Sequence, residues 1–512
     1  MPERPGGTRS AAVFTRGWPY VLAAMVFAVV LGTLFSLAVG LSATWVVMVF
    51  GGAATLVVIA WWPSFREFAI AGYFVTLPIL ITKALVAGSA SYGPVLEATL
   101  PDCFLVMMAV AWLMERRWEP APVAIGPAPR LAAAILLWAW FSALYAHKPT
   151  DGFLAALSFS KQLAGFFLVS RLVRTPRDVR TVLRAASVGL VLTLGMAGLQ
   201  FVVGQPLQLQ GVKGATEGLS LNYDTGTSAF RPFGFLLHPN ILGVYLVLLL
   251  PTLLTLVLLG RRKTGAGVWR WAAVLLLAGL GFLVLTLSRG SWIAFAVAAP
   301  FTMLVGWRLG IIPARHLRLA VGSALVMVAT VGAAYPNAWR RLTYADNHST
   351  QSRWLMLEQA KEIIESHPVM GVGLSGYRFA ATQIVPTSFG TVSKAFRERI
   401  EEGYVHNAYL LQWAERGIIG LSLTLLLYAA LLRRFFRERV WLEPTLEAVA
   451  LGLVGGLVGQ MVCDLFEHQY LEYPPGTLWP QMGLLVAIYR IQVQQRAAAA
   501  PVAAAATALP AR

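Results

Sequence analysis

The sequence predicts an all-α, polytopic helical membrane protein with about 12–14 transmembrane helices. The first observation is composition, since 57% of the 512 residues are hydrophobic and only 13% are charged, whereas soluble domains carry about 25% charged residues. The second is length, because apolar runs of about 20 residues, enough to cross a bilayer core, recur from Trp18 to Arg490. The third is the alternation of basic and nearly uncharged loops between these runs.

The apolar runs define the candidate spans. About fourteen can be placed by their hydropathy and length, at residues 18–39, 43–61, 68–86, 96–114, 131–146, 152–170, 184–203, 233–259, 268–286, 291–307, 319–335, 417–432, 446–465 and 476–492.

Basic side chains cluster in every second loop, which predicts the orientation. They are Arg66; Arg116, Arg117 and Arg130; Arg171, Arg174, Arg177 and Arg180; Arg261, Arg262 and Lys263; Arg308, Arg315 and Arg318; Arg433, Arg434, Arg437 and Arg439. Because Lys and Arg accumulate in cytoplasmic loops, both termini are predicted to be cytoplasmic. The chain then divides into a cytoplasmic N-terminus (1–17), helices 1–11 (18–335), a large periplasmic loop (336–416), helices 12–14 (417–492) and a disordered cytoplasmic tail (493–512).

The periplasmic loop is predicted to be helical. Apolar residues recur at helical spacing over 351–366, Ser349 or Thr350 is a candidate cap, and His367-Pro368 ends the helix. A second helix is predicted at 394–402. A third is predicted to begin near Val405 and to run straight into span twelve, which places His406 in its first turn.

Charge and missing motifs exclude several function classes. The net charge of +17 is explained by basic cytoplasmic loops, and no basic helix or aromatic–basic module indicates nucleic-acid binding. The chain has no Asp-x-Asp, no P-loop and no Gly-x-Ser-x-Gly elbow. Its two cysteines lie in apolar spans, so no disulfide framework is predicted.

Four polar places on the predicted outer side are candidates for chemistry, because a membrane otherwise excludes polar groups. His406 lies near a helix N-terminus, which disfavours the imidazolium and keeps the ring able to accept a proton; a solvated loop histidine is the other interpretation. Arg231 and Arg289, from different helices, can form a clamp for phosphate or pyrophosphate, although an interfacial Arg also anchors lipid head groups.

Two further interpretations are open at this stage. Arg231 and His238 are seven residues apart and are predicted to share a helix face, with Pro239 kinking the span and with His238 and Asn240 serving the freed carbonyls. Asp464, Glu467 and His468 have a spacing that can ligate a metal, but a capped helix end is favoured.

A set of short blocks occurs in a fixed order between about Gln200 and Arg490. The blocks are Phe230-Arg231-Pro232-Phe233-Gly234, His238-Pro239-Asn240-Ile241-Leu242-Gly243, Leu285-Thr286-Leu287-Ser288-Arg289-Gly290, Pro368-Val369-Met370-Gly371-Val372-Gly373, and His406-Asn407 followed after nine residues by Gly417-Ile418-Ile419-Gly420. This ordered set resembles the O-antigen ligase / O-antigen polymerase family. Members of the family often have about twelve spans, fewer than the count made here.

The resemblance implies a C-type glycosyltransferase-like membrane enzyme of the bacterial inner membrane. It implies inverting transfer of a glycan from undecaprenyl diphosphate to a hydroxyl of a glycan, lipid A–core or other acceptor on the periplasmic face, without metal, cofactor or nucleotide sugar. His406 is then the base, and Arg231 and Arg289 bind the pyrophosphate. Weaker candidates for binding the donor or acceptor are Asn407, Arg340, Arg341, Arg353, His238 and Lys161.

Several functions remain as alternatives. A ligase, a repeat-unit polymerase and a protein O-oligosaccharyltransferase share the donor chemistry and differ in the acceptor. A lipid-linked glycan transporter or flippase is the alternative from another class, but it needs polar residues along a path at mid-membrane, where Lys83, Lys161 and His238 offer little. A purely structural assembly protein leaves the motif set unexplained.

Overall fold

The structure is a computed structural model that describes residues 65–86, 96–115, 126–207, 220–222, 228–236, 238–318, 321–322, 336–343, 347–383, 403–437, 441, 443–467 and 476–507. The predicted spans at 18–39 and 43–61, nearly all of 319–335, and the loop helix predicted at 394–402 lie outside these residues.

Helices dominate the described residues. They are α1 (Phe65–Thr76), α2 (Leu100–Glu115), α3 (Ala128–Leu144), α4 (Pro149–Leu172), α5 (Pro176–Val203), α6 (Pro239–Leu259), α7 (Arg261–Thr264), α8 (Ala266–Leu285), α9 (Arg289–Arg308), α10 (Pro336–Thr343), α11 (Asn347–Ser366), α12 (Tyr377–Gln383), α13 (Ala408–Arg437), α14 (Pro444–Cys463) and α15 (Leu478–Thr507). Strands in the described part form two short antiparallel hairpins, β1 (Thr82–Val86) with β2 (Leu96–Thr99) and β3 (Ser220–Asn222) with β4 (Ser228–Phe230).

The predicted class, an all-α polytopic membrane protein, is confirmed. Among the described residues, seven helices are long and apolar enough to cross a membrane, namely α4, α5, α6, α8, α9, α13 and α14. Each coincides with a predicted span. The shorter α3 is also apolar and covers most of the predicted span at 131–146.

Two of the predicted elements have a different structure. The span predicted at 68–86 is wrong, because α1 ends at Thr76 after 12 residues, or about 18 Å, and β1 follows. Pro78 accounts for this end, since a proline disfavours helical conformation at the residue before it. In the opposite direction, α15 continues to Thr507, into the stretch predicted to be disordered. Its alanines are the strongest helix formers.

Small residues on α14 position the end of that helix within the bundle. A Cβ at Gly452 would lie 2.3 Å from Cα of Thr252 in α6, and one at Gly456 would lie 2.4 Å from the carbonyl oxygen of Leu248. On the side facing α9, a Cβ at Gly455 would lie 1.9 Å from Oγ1 of Thr302. Backbones that approach this closely pack tightly without a large apolar driving force between helices. α14 therefore wedges between α6 and α9.

The predicted loop 336–416 has a hydrophobic core of its own. Buried side chains of α11, α12 and residues 408–416 pack together, separately from the core of the membrane helices; they include Leu355, Ile363, Tyr377, Ala381, Leu411 and Ala414. The prediction that this loop is helical and not a linker agrees with α11, which ends at Ser366 just before His367-Pro368. The helix begins at Asn347, so Ser349 and Thr350 lie inside it and do not cap it.

Gly417 joins this outer unit to the membrane-spanning part of α13. The prediction of a straight helix is wrong here, because Gly417 has φ 66° and ψ −176° and breaks α13 in two. A Cβ at Gly417 would lie 1.8 Å from the carbonyl oxygen of Val369, so only glycine fits. The amides of Val372 and Gly373 donate to the carbonyls of Ala414 and Glu415 at 2.8 and 2.9 Å. The block from Pro368 to Gly373 thereby satisfies carbonyls at the end of the first helical part.

Candidate functional site

The turn that follows α14 carries a buried carboxylate. Glu467 is 5% exposed and lies four residues beyond the end of the helix at Cys463. Its Oε1 accepts a hydrogen bond of 2.7 Å from Nδ2 of Asn240, in the first turn of α6. Its Oε2 lies 4.0 Å from Nδ1 of His406. One carboxylate thus connects three segments that are far apart in the sequence.

Arg231 lies on the other side of Asn240. Its Nη2 donates to Oδ1 of Asn240, and its Nε donates to the carbonyl oxygen of Thr286 at 2.7 Å. The residue is 5% exposed. The prediction that Arg231 shares a helix face with His238 is wrong, because the segment before α6 is not helical and Pro239 is the first residue of α6. Pro239 therefore does not kink the span, since the first turn of a helix tolerates proline.

The short turn between α8 and α9 presents two successive carbonyl groups to arginines. Leu287 is fully buried and has φ 50°, a conformation that costs a non-glycine residue about 1–2 kcal/mol. Its carbonyl oxygen accepts a hydrogen bond of 3.2 Å from Nε of Arg341 in α10, while the preceding carbonyl of Thr286 accepts from Arg231. The left-handed backbone thus lets one turn hold arginines from two elements.

Arg289 is the first residue of α9, with Ser288 as its N-cap, and its side chain is partly exposed. Among the residues that the structure describes, it makes no hydrogen bond or ion pair. A Cβ at the neighbouring Gly290 would lie 2.9 Å from Cβ of Phe466, so the turn that carries Arg289 touches the turn that carries Glu467.

His406 lies two residues before the start of α13 and is not inside its first turn, which corrects the prediction that the helix begins near Val405. The helix begins at Ala408, and Oδ1 of Asn407 caps it by accepting from the amide of Leu410 at 3.0 Å. Asn407 also donates from Nδ2 to the carbonyl oxygen of Leu465 at 3.3 Å, and the amide of Ala408 donates to that of Asp464 at 2.7 Å. Asn407 is therefore a positioning residue that fixes His406 against the α14 turn.

Burial and nearby charges act on Glu467 in opposite directions. Loss of solvent raises its pKa to about 7, and the positive charges of Arg353 and Arg231, with the hydrogen bond from Asn240, oppose that shift. Arg353 belongs to α11, so a positive charge from that helix acts on the carboxylate. The Asp464 carboxyl is also buried, and burial raises its pKa to about 7, although Gln460 and Tyr428 donate hydrogen bonds to it.

The predicted site residues thus fall into two groups. Arg231, Arg289, Arg341, Arg353, His406 and Asn407 come together around the α8–α9 turn and the α14 turn. His238 and Lys161 have structural contacts instead. Nδ1 of His238 accepts from the amide of Asn240 and caps α6. Lys161 pairs with Asp102 at 2.7 Å and donates to the carbonyl oxygen of Glu97. Arg340 is exposed on α10.

Sequence reasoning missed two residues that organise the site, Asn240 and Glu467. Asn240 was interpreted as part of a proline kink, and Glu467 as a helix-end residue or a metal ligand with Asp464 and His468, of which His468 lies outside the described residues. The sequence held one signal for Glu467, an acidic residue just after an apolar span on the side predicted to hold the arginines. Its partners were not visible, since Asn240 and Glu467 are 227 residues apart.

Comparison with known proteins covers the middle of the chain. Residues 272–425 match the family model described as O-antigen ligase, a stretch that includes Arg289, Arg341, Arg353 and His406 and stops before Glu467. No curated protein matches the chain. In residues 272–425 the chain is thus similar to the O-antigen ligase family.

Proposed function

We propose that the protein is a membrane glycan transferase, which moves an oligo- or polysaccharide from undecaprenyl diphosphate to an acceptor hydroxyl on the periplasmic face of the inner membrane. It would serve the biosynthesis of cell-surface lipopolysaccharide or exopolysaccharide. The observation that carries the proposal is the convergence of His406, Arg231 and Arg289 on two touching turns at one end of the bundle. A base beside several guanidinium groups can take the proton of an acceptor hydroxyl and stabilise the charge on a leaving diphosphate.

In this proposal the arginines bind the donor. Arg231 and Arg289 approach the diphosphate from two different turns, and Arg341 and Arg353 add positive charge from the outer helices α10 and α11. Guanidinium groups bind phosphate oxygens with two parallel N–H donors. They also stabilise the charge that develops on the leaving diphosphate, so the proposed reaction uses no metal.

His406 activates the acceptor. As the acceptor oxygen bonds to the anomeric carbon, its proton passes to the imidazole, and the bond from that carbon to the phosphate oxygen breaks with its electron pair leaving on undecaprenyl diphosphate. Direct displacement inverts the anomeric centre. His406 is 32% exposed at its side chain, as a base that meets an entering acceptor must be. The outer unit formed by α11, α12 and residues 408–416 would roof the site.

The test is the glycan profile of cells in which the gene is deleted and then restored as wild type or His406→Ala. Loss of a general base lowers the rate by about 10²–10⁴-fold, so His406→Ala is expected to resemble the deletion. His367→Ala is the matched control, because His367 lies on the same loop but is exposed and contacts Ser366. It is expected to restore the wild-type profile.

The same profile separates the acceptors. Full-length polymer that accumulates on the lipid carrier without reaching its acceptor indicates a ligase. Single repeats, on the carrier or already transferred, indicate a polymerase, and loss of glycan from proteins alone indicates a protein O-oligosaccharyltransferase. Wild-type polymer in cells that produce only His406→Ala protein would overturn the proposed function.

A further inference from the structure

The carboxylate of Glu467 has its two oxygens directed to different partners. Oε1 accepts the 2.7 Å hydrogen bond from Asn240, which leaves Oε2 as the oxygen nearest to His406, 4.0 Å from Nδ1. This separation is longer than a hydrogen bond, but catalytic contacts are often long before substrate binds and shorten in the complex. Nδ1 is the ring nitrogen of His406 that lies toward this carboxylate.

Asn240 fixes the orientation of that carboxylate. Its Oδ1 accepts from Nη2 of Arg231, and its Nδ2 donates to Oε1 of Glu467. Rotation of the amide by half a turn would direct its NH₂ at a guanidinium and its carbonyl at a carboxylate, so that both hydrogen bonds would be lost. The amide therefore has one stable orientation, and it joins the arginine proposed for the diphosphate to the carboxylate beside the proposed base.

Charged and titratable groups approach Glu467 from every element around it. Arg231 precedes α6, Arg353 lies on α11, and His406 precedes α13; Asp464 and Cys463 belong to its own turn and helix. The carboxyl of Asp464 is hydrogen-bonded by Gln460 and Tyr428 and so has separate partners. Two guanidinium groups favour the ionised form of Glu467, and burial opposes it.

The geometry points to Glu467 as a positioning residue for the transfer reaction. Its carboxylate attracts Nδ1–H of His406, which leaves the Nε2 lone pair for the acceptor hydroxyl. Asn240 connects the same carboxylate to Arg231 by hydrogen bonds. The inference rests on the proposed function, because it gives His406 the task of a base. When Nε2 takes the acceptor proton, the ring becomes an imidazolium, and the carboxylate beside Nδ1 stabilises it. The helix N-terminus at Asn407 has the opposite effect, which the facing carboxylate offsets.

The test measures release of undecaprenyl diphosphate by the full-length protein in membrane vesicles. The donor is the lipid-linked glycan extracted from cells that lack the gene, and the acceptor is the envelope fraction of the same cells. Rates are measured across pH for wild type, Glu467→Gln, Glu467→Asp, Asn240→Ala and His406→Ala. Glu365→Gln is the matched control, because Glu365 is an exposed glutamate of α11 whose side chain is 63% accessible.

Glu467→Gln is expected to lower kcat by about 10–100-fold while the KM for the donor changes less than kcat. The acid limb of the pH profile is expected to move to lower pH by about one unit, because without the carboxylate the ring stays neutral in more acidic solution. Glu467→Asp is expected to restore part of the rate and of the profile. Asn240→Ala is expected to lose activity as well, and the double variant with Glu467→Gln to lose less than the two single losses combined.

Two results would overturn this inference and leave the proposed function standing. One is a rate that falls at all pH values with the acid limb unmoved, which would make Glu467 a structural residue only. The other is a wild-type rate and profile for Glu467→Gln. Wild-type transfer by His406→Ala would instead refute the proposed function itself.

Discussion

At the two ends of the helix bundle, the arginines donate hydrogen bonds to different kinds of group. At the end away from the outer unit, Arg66 makes a bidentate pair with Asp178 at 2.9 and 3.2 Å, and Arg174 pairs with Glu115 at 2.7 Å. At the end near the outer unit, Arg231 and Arg341 donate instead to the carbonyl oxygens of Thr286 and Leu287.

The difference lies in the groups that accept hydrogen bonds from each guanidinium. A carboxylate satisfies the donors of a guanidinium and neutralises it, whereas a backbone carbonyl or an amide satisfies the donors and leaves the positive charge in place. Pairs such as Arg66–Asp178 stabilise the fold. The backbone contacts of Arg231 and Arg341 orient the two guanidinium groups before an anion binds, which lowers the ordering cost of binding.

The largest effect should come from Arg231. Arg231→Ala is expected to lower the transfer rate by about 10²–10³-fold, as does the loss of other groups that stabilise developing charge. Arg231→Lys should recover little, because an ammonium lacks the planar fork that contacts Thr286 and Asn240 together. The measurement is release of undecaprenyl diphosphate at saturating donor. A fully active Arg231→Lys protein would show that charge alone is needed there.

At the opposite end, Arg66→Ala should change stability and not chemistry. It leaves the carboxylate of Asp178, which is 1% exposed, without its charged donor, at a cost of about 1.5–3 kcal/mol. The carboxylate keeps the hydrogen bonds from the amides of Arg174 and Thr175, which limits the loss. The check is thermal unfolding in detergent, alongside the transfer rate per folded molecule. A reduced transfer rate per folded molecule would contradict the prediction that Arg66 acts on stability alone.

The smallest effect concerns Arg289. Arg289→Gln is expected to raise the KM for the donor about tenfold, equivalent to about 1.4 kcal/mol, because one charged donor to the diphosphate is lost while Arg231 remains. Inorganic pyrophosphate should inhibit the wild-type protein and inhibit Arg289→Gln more weakly. Arg262→Gln, from the basic segment α7 at the other end, is the control and should leave both values unchanged. Equal inhibition of all three proteins would remove Arg289 from the donor site.

Sequence patterns predicted most of the membrane architecture because hydropathy and loop charge are local properties. The runs that became α4, α5, α6, α8, α9, α13 and α14 are each long enough by themselves to cross a membrane. The prediction of a span at 68–86 was wrong because the mean hydropathy of this stretch is high, while Pro78 ends the helix at Thr76. A hydropathy average does not register a single helix-ending residue.

For the site, the sequence predicted which residues carry the chemistry, and the structure places Arg231, Arg289 and His406 at one end of the bundle. His406, Arg231 and Arg289 follow from unusual polar residues at span ends and from the ordered motifs. Only the tertiary structure decided how they are held. The break at Gly417 depends on the backbone of Val369, and the joining of Arg231 to His406 depends on Asn240 and Glu467, which meet across 227 residues. Hydrogen bonds between distant segments leave no periodic signal in a sequence, because they depend on where packed helices end in space.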